Sequence, residues 1–207
     1  MAKINLGLDV LGKREDGYHE VRMIMQTIRM YDILDIRKTR RPGIVLTTNL
    51  PFIPTDQRNL VYKAAQMLME EFDVEEGLSI KLRKFIPVAA GMAGGSSDAA
   101  AAFVGVNRMF HLGLTEEQLM ERAVKVGADV PYCIMRGTAL AEGIGEKLTR
   151  LPEVPKCYVL IGKPGINVST KTAYENLNLE GIGKHPDIDG LIGAITVSYT
   201  HLRAHET

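Results

Sequence analysis

The sequence predicts an α+β fold, on three observations. Period-two alternation of apolar residues dominates the chain up to residue 48. Helical three-to-four-residue periodicity starts only after that point and is interleaved with further strands. Between one such strand and the next helix lies a run of small residues and glycines that suits a bound ligand. Strands first, then helices mixed with strands, is not the repeating strand–helix alternation of a doubly wound parallel sheet. With 207 residues, 45% of them hydrophobic, the chain can bury a sizeable core as one large domain or one and a part.

Ile4, Leu6 and Leu8 alternate with polar or small residues, as in a half-buried strand. Glu15, Asp16 and Gly17 make a turn. Residues 21–28, 31–37 and 44–48 read as three more strands, and 51–56 as a loop. A helix over 59–72 puts Val61, Ala65, Leu68 and Phe72 on one face. Residues 78–85 alternate again and deliver the chain into the glycine run. Ser96 and Ser97 open the next helix, with Ala99, Phe103, Val106 and Phe110 as its apolar face. Thr115 and Gln118 form a capping box. The helix they start buries Leu119, Ala123 and Val126, and Gly127 stops it. Residues 138–142 and 158–161 read as strands and 169–177 as a short helix. No internal repeat is visible.

Lysine plus arginine and aspartate plus glutamate both total 25, so formal net charge is zero. That argues against a general nucleic-acid or membrane-surface role. No apolar run approaches the ~18 residues of a membrane span, and Met1 leads straight into a strand rather than a signal peptide. Cys133 and Cys157 lie in apolar sequence and read as reduced core residues of a cytoplasmic protein, without a disulfide.

The glycine run is Pro-Val-Ala-Ala-Gly-Met-Ala-Gly-Gly-Ser-Ser-Asp-Ala-Ala, residues 87–100. Gly91, Gly94 and Gly95 are expected to take φ > 0 and to leave room beside the backbone. A helix start adds unpaired N–H groups and the positive end of the dipole, so the layout suits a phosphate. No Lys-Ser or Lys-Thr pair follows the glycines, so it is not a Walker A loop. A tight strand-to-helix turn would need the same residues.

Three further segments bear on that choice: Ala-Lys-Ile-Asn-Leu-Gly-Leu at 2–8, Lys-Arg-Glu-Asp-Gly-Tyr-His-Glu at 13–20 and Gly-Ala-Asp-Val-Pro-Tyr at 127–132. In this order with the glycine loop they resemble the GHMP small-molecule kinases, from residue 2 to about residue 180. The resemblance implies a GHMP kinase fold: a ribosomal-protein-S5-like N-terminal domain, residues 1–150, then an incomplete second α+β domain starting at 151–196. It implies ATP with Mg²⁺ as donor, a small-molecule acceptor, and a monomer or weak homodimer. Tyr18 and His19 narrow it to a member whose acceptor carries cytidine. Family members begin a few residues earlier and continue further, into another glycine-rich motif that is absent here. Residues 197–207 resemble a translated sequencing-library adapter, and the expectation is an artefact joined to a shortened gene. Leu191, Ile192 and Ile195 should then lack packing partners, and His201 and His205 are not a metal site.

By the same resemblance Asp129 matches the catalytic aspartate. Alone, it would read as a solvated turn residue. Lys3 would hold it ionised and stabilise the acceptor hydroxyl, and Asn5, two residues along the strand, faces the acceptor. Tyr18 and His19 offer rings and polar edges to a pyrimidine, and Tyr174 matches a second stacking aromatic with Thr170 close by. For ATP, the loop from Pro87 through Gly91, Gly94 and Gly95 to Ser96 and Ser97 should wrap the phosphates. Asn59, Leu60 and Lys84 resemble nucleoside contacts, although Asn59 alone reads as a helix cap. Asp98 would repel phosphate and is expected to point away from it. The competing readings are a homoserine or mevalonate kinase, an RNA-binding module on an S5-like fold, and a shortened chain without useful activity.

Overall fold

The computed structural model of the chain describes residues 1–165, 170–179, 181 and 183–197. It comprises two compact units between which the chain passes several times. One unit is made of residues 1–3, 27–88 and 92–135, the other of 4–26, 89–91 and 136–207. Residues 166–169 and 198–207 are outside the described residues, so the start of the helix expected at 169 and the adapter-like tail are not described.

The first unit holds a three-stranded sheet in the order β3-β5-β4, with β3 at Ile33–Thr39, β4 at Ile44–Thr48 and β5 at Gly77–Arg83. β3 runs antiparallel and β4 parallel to β5, with Ile36 and Leu46 both opposite Ile80. The parallel pair requires a crossover, and helix α1 (Leu60–Glu71) supplies it. Leu78, Ile80 and Leu82 alternate along β5 and are buried with Val61, Ala64, Ala65 and Leu68 of α1. Helix α2 (Gly94–Met109) adds Ala99, Ala102, Phe103 and Val106 to that core. Helix α3 (Glu116–Ala123) carries the full capping box between Thr115 and Gln118.

Gly127 does not stop α3. The helix ends at Ala123, and Gly127 is not among the residues with positive φ. A further helix follows, α4 (Val130–Met135), all six of whose residues are buried. A wholly apolar hexapeptide has no periodicity to read, which is why sequence pattern missed it.

The second unit is a four-stranded sheet in the order β1-β2-β6-β7, built from β1 (Lys3–Lys13, entering from the first unit), β2 (His19–Thr27), β6 (Thr138–Gly143) and β7 (Lys147–Leu151). β6 lies antiparallel to both β2 and β7. The alternation at the start of β1 does not mark a buried face: Leu6 and Leu8 are exposed. Ile192 and Ile195 do not lack packing partners, whereas Leu191 is exposed. All three fall on helix α6 (Ile188–Thr196), where Ile188, Ile192 and Ile195 pack on Ile24 of β2, Leu140 of β6 and Leu151 of β7. Arg22 fastens the helix through a paired contact to Asp189, at 2.6 and 2.8 Å. Residues 158–161 form no strand, and Tyr158 and Leu160 are fully exposed. Cys157 is exposed rather than a core residue, Cys133 is buried, and both are free thiols. Among the described residues no helix is long and apolar enough to cross a membrane.

Candidate active site

β5 ends at Arg83, and the next ten residues lead to α2. Within them Ala89, Gly91 and Ala93 have φ of 53°, 68° and 52°. Left-handed residues thus recur at alternate positions, and such residues are one component of anion-binding nests. For alanine this conformation costs roughly 1–2 kcal/mol. Ala93 is also the N-cap of α2 and supplies no side-chain cap, so the helix's opening N–H groups are not taken up by one.

The expectation for Gly94 and Gly95 is corrected. They are the first two residues of α2 and have no positive φ. Gly94 is instead favoured by close packing. A Cβ there would lie 3.1 Å from Ile86 Cγ2 and 3.1 Å from Lys84 Nζ. At Gly95 it would meet only Leu60 Cδ1, at an ordinary 3.6 Å. Ser97 is buried and Ser96 half-buried in the same turn.

Lys84 is buried, and its ammonium donates to Asp32 and, at 2.7 Å, to Asp98 of α2. Asp32 also accepts from the backbone N–H groups of Phe85 (2.5 Å) and Ile86 (2.8 Å). The Lys84 backbone is pinned on both sides by the Asn49 amide, at 2.7 and 3.1 Å. Burial works to raise the Asp32 pKa, but Lys84 and the two amides outweigh it and the net shift is downward. Asp98 is pushed up to about 7, by burial first, opposed by Lys84 and reinforced by Asp32. Asp98 thus sits inside the protein on Lys84. Asp32 and Asn49 carried no sequence signal, because both act through backbone groups remote in sequence.

Lys3 opens β1, and its N–H donates to Met92 O in the glycine loop at 3.1 Å. Its side chain is buried, with Nζ 3.9 Å from Asp129 Oδ2 on a carboxylate one-third exposed. That separation is an ion pair without a direct hydrogen bond. Asp129 stands immediately before α4, and its carbonyl accepts from Cys133 N at 3.1 Å. Tyr132 anchors the helix from below, its hydroxyl 3.0 Å from Thr27 Oγ1. The Cys133 thiol is pushed up to about 12, chiefly by burial and then by Asp129, so it stays protonated and is no nucleophile. The geometry thus brings Lys3 and Asp129 together from positions far apart in sequence.

Asn59 caps α1: its Oδ1 accepts from Val61 N at 2.9 Å and its Nδ2 donates to Pro54 O at 2.7 Å. A cavity of about 450 Å³ opens just before it, lined by Thr47, Thr48, Pro51, Pro54 and Arg58 among others. Leu60 is half-buried at the helix start.

In the second unit, the turn between β1 and β2 is closed by Arg14 N donating to Tyr18 O at 2.8 Å. Tyr18 is exposed, and Asn5 on β1 is exposed too. His19 stacks on Tyr174 of helix α5 (Thr170–Glu175), with ring centroids 4.9 Å apart and planes at 26°. Thr170 starts α5, and its side chain is outside the described residues.

The family model described as GHMP kinases N terminal domain matches residues 59–137. A 4-diphosphocytidyl-2-C-methyl-D-erythritol kinase of Lachnospira eligens is 57% identical over 194 residues, covering 94% of this chain and 67% of that relative. The enzyme of that name from Lachnoclostridium phytofermentans is 56% identical over 200 residues, 97% of this chain and 69% of the relative. Among solved structures, a 4-(cytidine 5'-diphospho)-2C-methyl-D-erythritol kinase superposes with a TM-score of 0.76 at 30% identity, covering 95% of this chain and 70% of that one. A homoserine kinase from Cytophaga hutchinsonii, with a TM-score of 0.63 at 16% identity over 96% of this chain and 68% of that one, shares the fold.

Proposed function

The chain belongs to the 4-diphosphocytidyl-2-C-methyl-D-erythritol kinase family of GHMP kinases, and from that premise we propose how its own residues carry the reaction. The reaction is transfer of the ATP γ-phosphate to the 2-hydroxyl of 4-diphosphocytidyl-2-C-methyl-D-erythritol, in the non-mevalonate route to isoprenoids. The observation that carries the assignment of roles is the Lys3–Asp129 pair, with the Lys3 backbone bonded to the glycine loop.

A hydroxyl oxygen placed about 2.8 Å from each partner bridges groups 3.9 Å apart without moving either. Asp129 then accepts the hydroxyl proton as the oxygen attacks, and Lys3 stabilises the alkoxide character that develops. Phosphoryl transfer asks little else of the protein beyond positioning and charge neutralisation. The nest at Ala89, Gly91 and Ala93 and the uncapped start of α2, with Gly94 and Gly95, present N–H donors to the phosphates, and Pro87 fixes the loop's entry. The cavity before Asn59 and Leu60 takes the nucleoside, so we read adenine there.

Mg²⁺ neutralises charge on the phosphates during transfer. Among the described residues no three His, Cys, Asp or Glu side chains form a cluster that could hold a metal. A nucleotide-bound ion takes most of its ligands from phosphates and water, and the hydroxyl of Ser96, half-buried in the first turn of α2, would be its protein oxygen. Tyr18, His19 and Tyr174 take the cytosine, with Asn5 and Thr170 toward the rest of the acceptor. Free cysteines agree with a cytoplasmic setting.

The test is ADP release by the 207-residue chain with Mg²⁺ and ATP. Release should depend on the cytidylated acceptor and not occur with homoserine or mevalonate. Equal turnover with either of those two would overturn the acceptor assignment.

A further inference from the structure

The buried group of Asp32, Lys84 and Asp98 has no part in the chemistry just described, yet it joins three separate pieces of the donor site. Asp32 immediately precedes β3 and holds the N–H groups of Phe85 and Ile86, the residues entering the glycine loop. Lys84 begins the segment that leaves β5. Asp98 lies in the opening turns of α2, whose first residue, Gly94, rests against the Lys84 ammonium. All three side chains are at least nine-tenths buried. No described buried side-chain polar atom lacks a hydrogen-bond partner.

We propose that Asp98 is a positioning residue for ATP. Through Lys84 and Asp32 it locks the opening of α2 to the loop entry, and so sets where the nest and the helix start present their N–H groups to the phosphates. This reassigns the Lys84 side chain from nucleoside contact to structural tie, and it rests on the nucleotide reading above. The groups that face Asp98 are Lys84 from the loop entry, Asp32 from the approach to β3, and Cys133 from α4, whose thiol senses its charge. The neighbouring Ser97 hydroxyl accepts from the chain's α-ammonium group at 2.5 Å.

Removing the Asp98 side chain strands the Lys84 ammonium against a single carboxylate and frees the helix start. Replacing it by asparagine keeps an acceptor for Lys84 and removes only the titration. Loss of this charge-assisted bond releases the N–H groups that read the phosphates, and the expected cost is about tenfold or more in ATP affinity.

The test is ATP binding by titration calorimetry and steady-state kinetics on the whole 207-residue chain and on three variants. D98A should raise the ATP Kd and KM about tenfold or more, and leave the acceptor KM within about twofold. D98N should restore both to within about threefold of the parent. The parent's melting temperature should fall between about pH 4 and about pH 7 relative to that of D98N and level off above that. A carboxylic acid whose folded pKa is raised stabilises the fold while protonated and loses that contribution as pH rises through about 7. Should D98A not fold, the triple variant Asp32→Asn, Lys84→Met, Asp98→Asn removes the charges at nearly constant volume. The asparagine at position 32 keeps an acceptor for the Phe85 and Ile86 amides, circular dichroism reports the variant's fold, and it should still show the ATP defect. Unchanged ATP affinity in D98A or in the folded triple variant overturns the proposal. So does an equal loss in ATP and acceptor affinity. A parent chain that does not bind ATP at all sinks the nucleotide reading itself, and this inference with it.

Discussion

The residues assigned to the phosphate donor and those assigned to the acceptor are held in opposite ways. On the donor side the polar groups are buried and paired: Lys84 on Asp32 and Asp98, Asn59 on Val61 and Pro54. On the acceptor side Tyr18 is exposed on a turn, and His19 and Tyr174 meet ring to ring across two elements of the second unit. A polyphosphate is read by backbone N–H groups whose direction must be fixed in advance, so its site needs a rigid, sealed base. A nucleobase is read by faces, and a ring on a turn can stack with modest preorganisation. The contrast predicts that changes on the donor side damage rate and fold together, while changes on the acceptor side damage one substrate's binding alone.

The largest expected effect belongs to Asp129. Asp129→Asn removes the proton acceptor while keeping the shape before α4, and kcat should fall by roughly 10²–10⁴. Circular dichroism and ATP affinity should stay close to the parent's. A variant within about threefold of the parent would make Asp129 a turn residue and move the contrast elsewhere.

Gly94→Val comes next and examines the sealed base. The new Cβ must push on Ile86 and on the Lys84 ammonium, both at 3.1 Å. Overpacking of this kind costs about 1–3 kcal/mol and displaces the helix start, so ATP binding and thermal stability should fall together. Gly95→Ala meets only an ordinary contact with Leu60 and should leave stability near the parent's. If the two behave alike, the loop is set by something other than the packing of Gly94.

On the acceptor side, Tyr174→Ala and Tyr18→Ala should each weaken binding of the cytidylated substrate by about 1–3 kcal/mol, the range for loss of a base-stacking ring. ATP affinity should not move. Tyr174→Ala also removes the partner of His19, so of the two it should cost more. A drop in ATP affinity from either would erase the division between donor and acceptor residues.

How much of this was legible in sequence follows from how each element is buried. β4 is found where the sequence places it, because a half-buried strand alternates visibly. The capping box of α3 is visible because it depends on two residues three apart. α4 was invisible because all its residues are buried, and α6 because glycines at 190 and 193 dilute its helical signal. The apolar stretch at 158–161 misled for the opposite reason. It has strand composition, but among the described residues no strand bonds to it, and composition alone does not make a strand. In the site, the glycine loop announced itself, but the conformation was assigned to the wrong residues: Ala89 and Ala93 take the left-handed positions that Gly94 and Gly95 were expected to take. Lys3 and Asp129 could be paired only through a family resemblance, since nothing local links two residues so far apart. Asp32 could not be found at all, because its role is to accept from backbone amides brought near by the fold.

The smallest effect is the one that probes the donor side most finely. Asn59 serves as a cap, and it follows in sequence directly on Arg58, which lines the cavity assigned to adenine. Asn59→Ala should cost about 1 kcal/mol as a lost cap, a drop of about 2–4 °C in Tm for a chain of this size. Asn59→Ser can still accept from the Val61 N–H and should recover most of that. If Asn59 serves only the helix, the ATP KM should follow stability: raised slightly in Asn59→Ala and normal in Asn59→Ser. If its amide also bonds the nucleoside, Asn59→Ser will be stable and still bind ATP poorly, because serine restores the cap and not the amide. The second result would place a direct polar contact within the sealed side of the molecule, and the rule that its side chains work only by holding the backbone would need Asn59 as its exception.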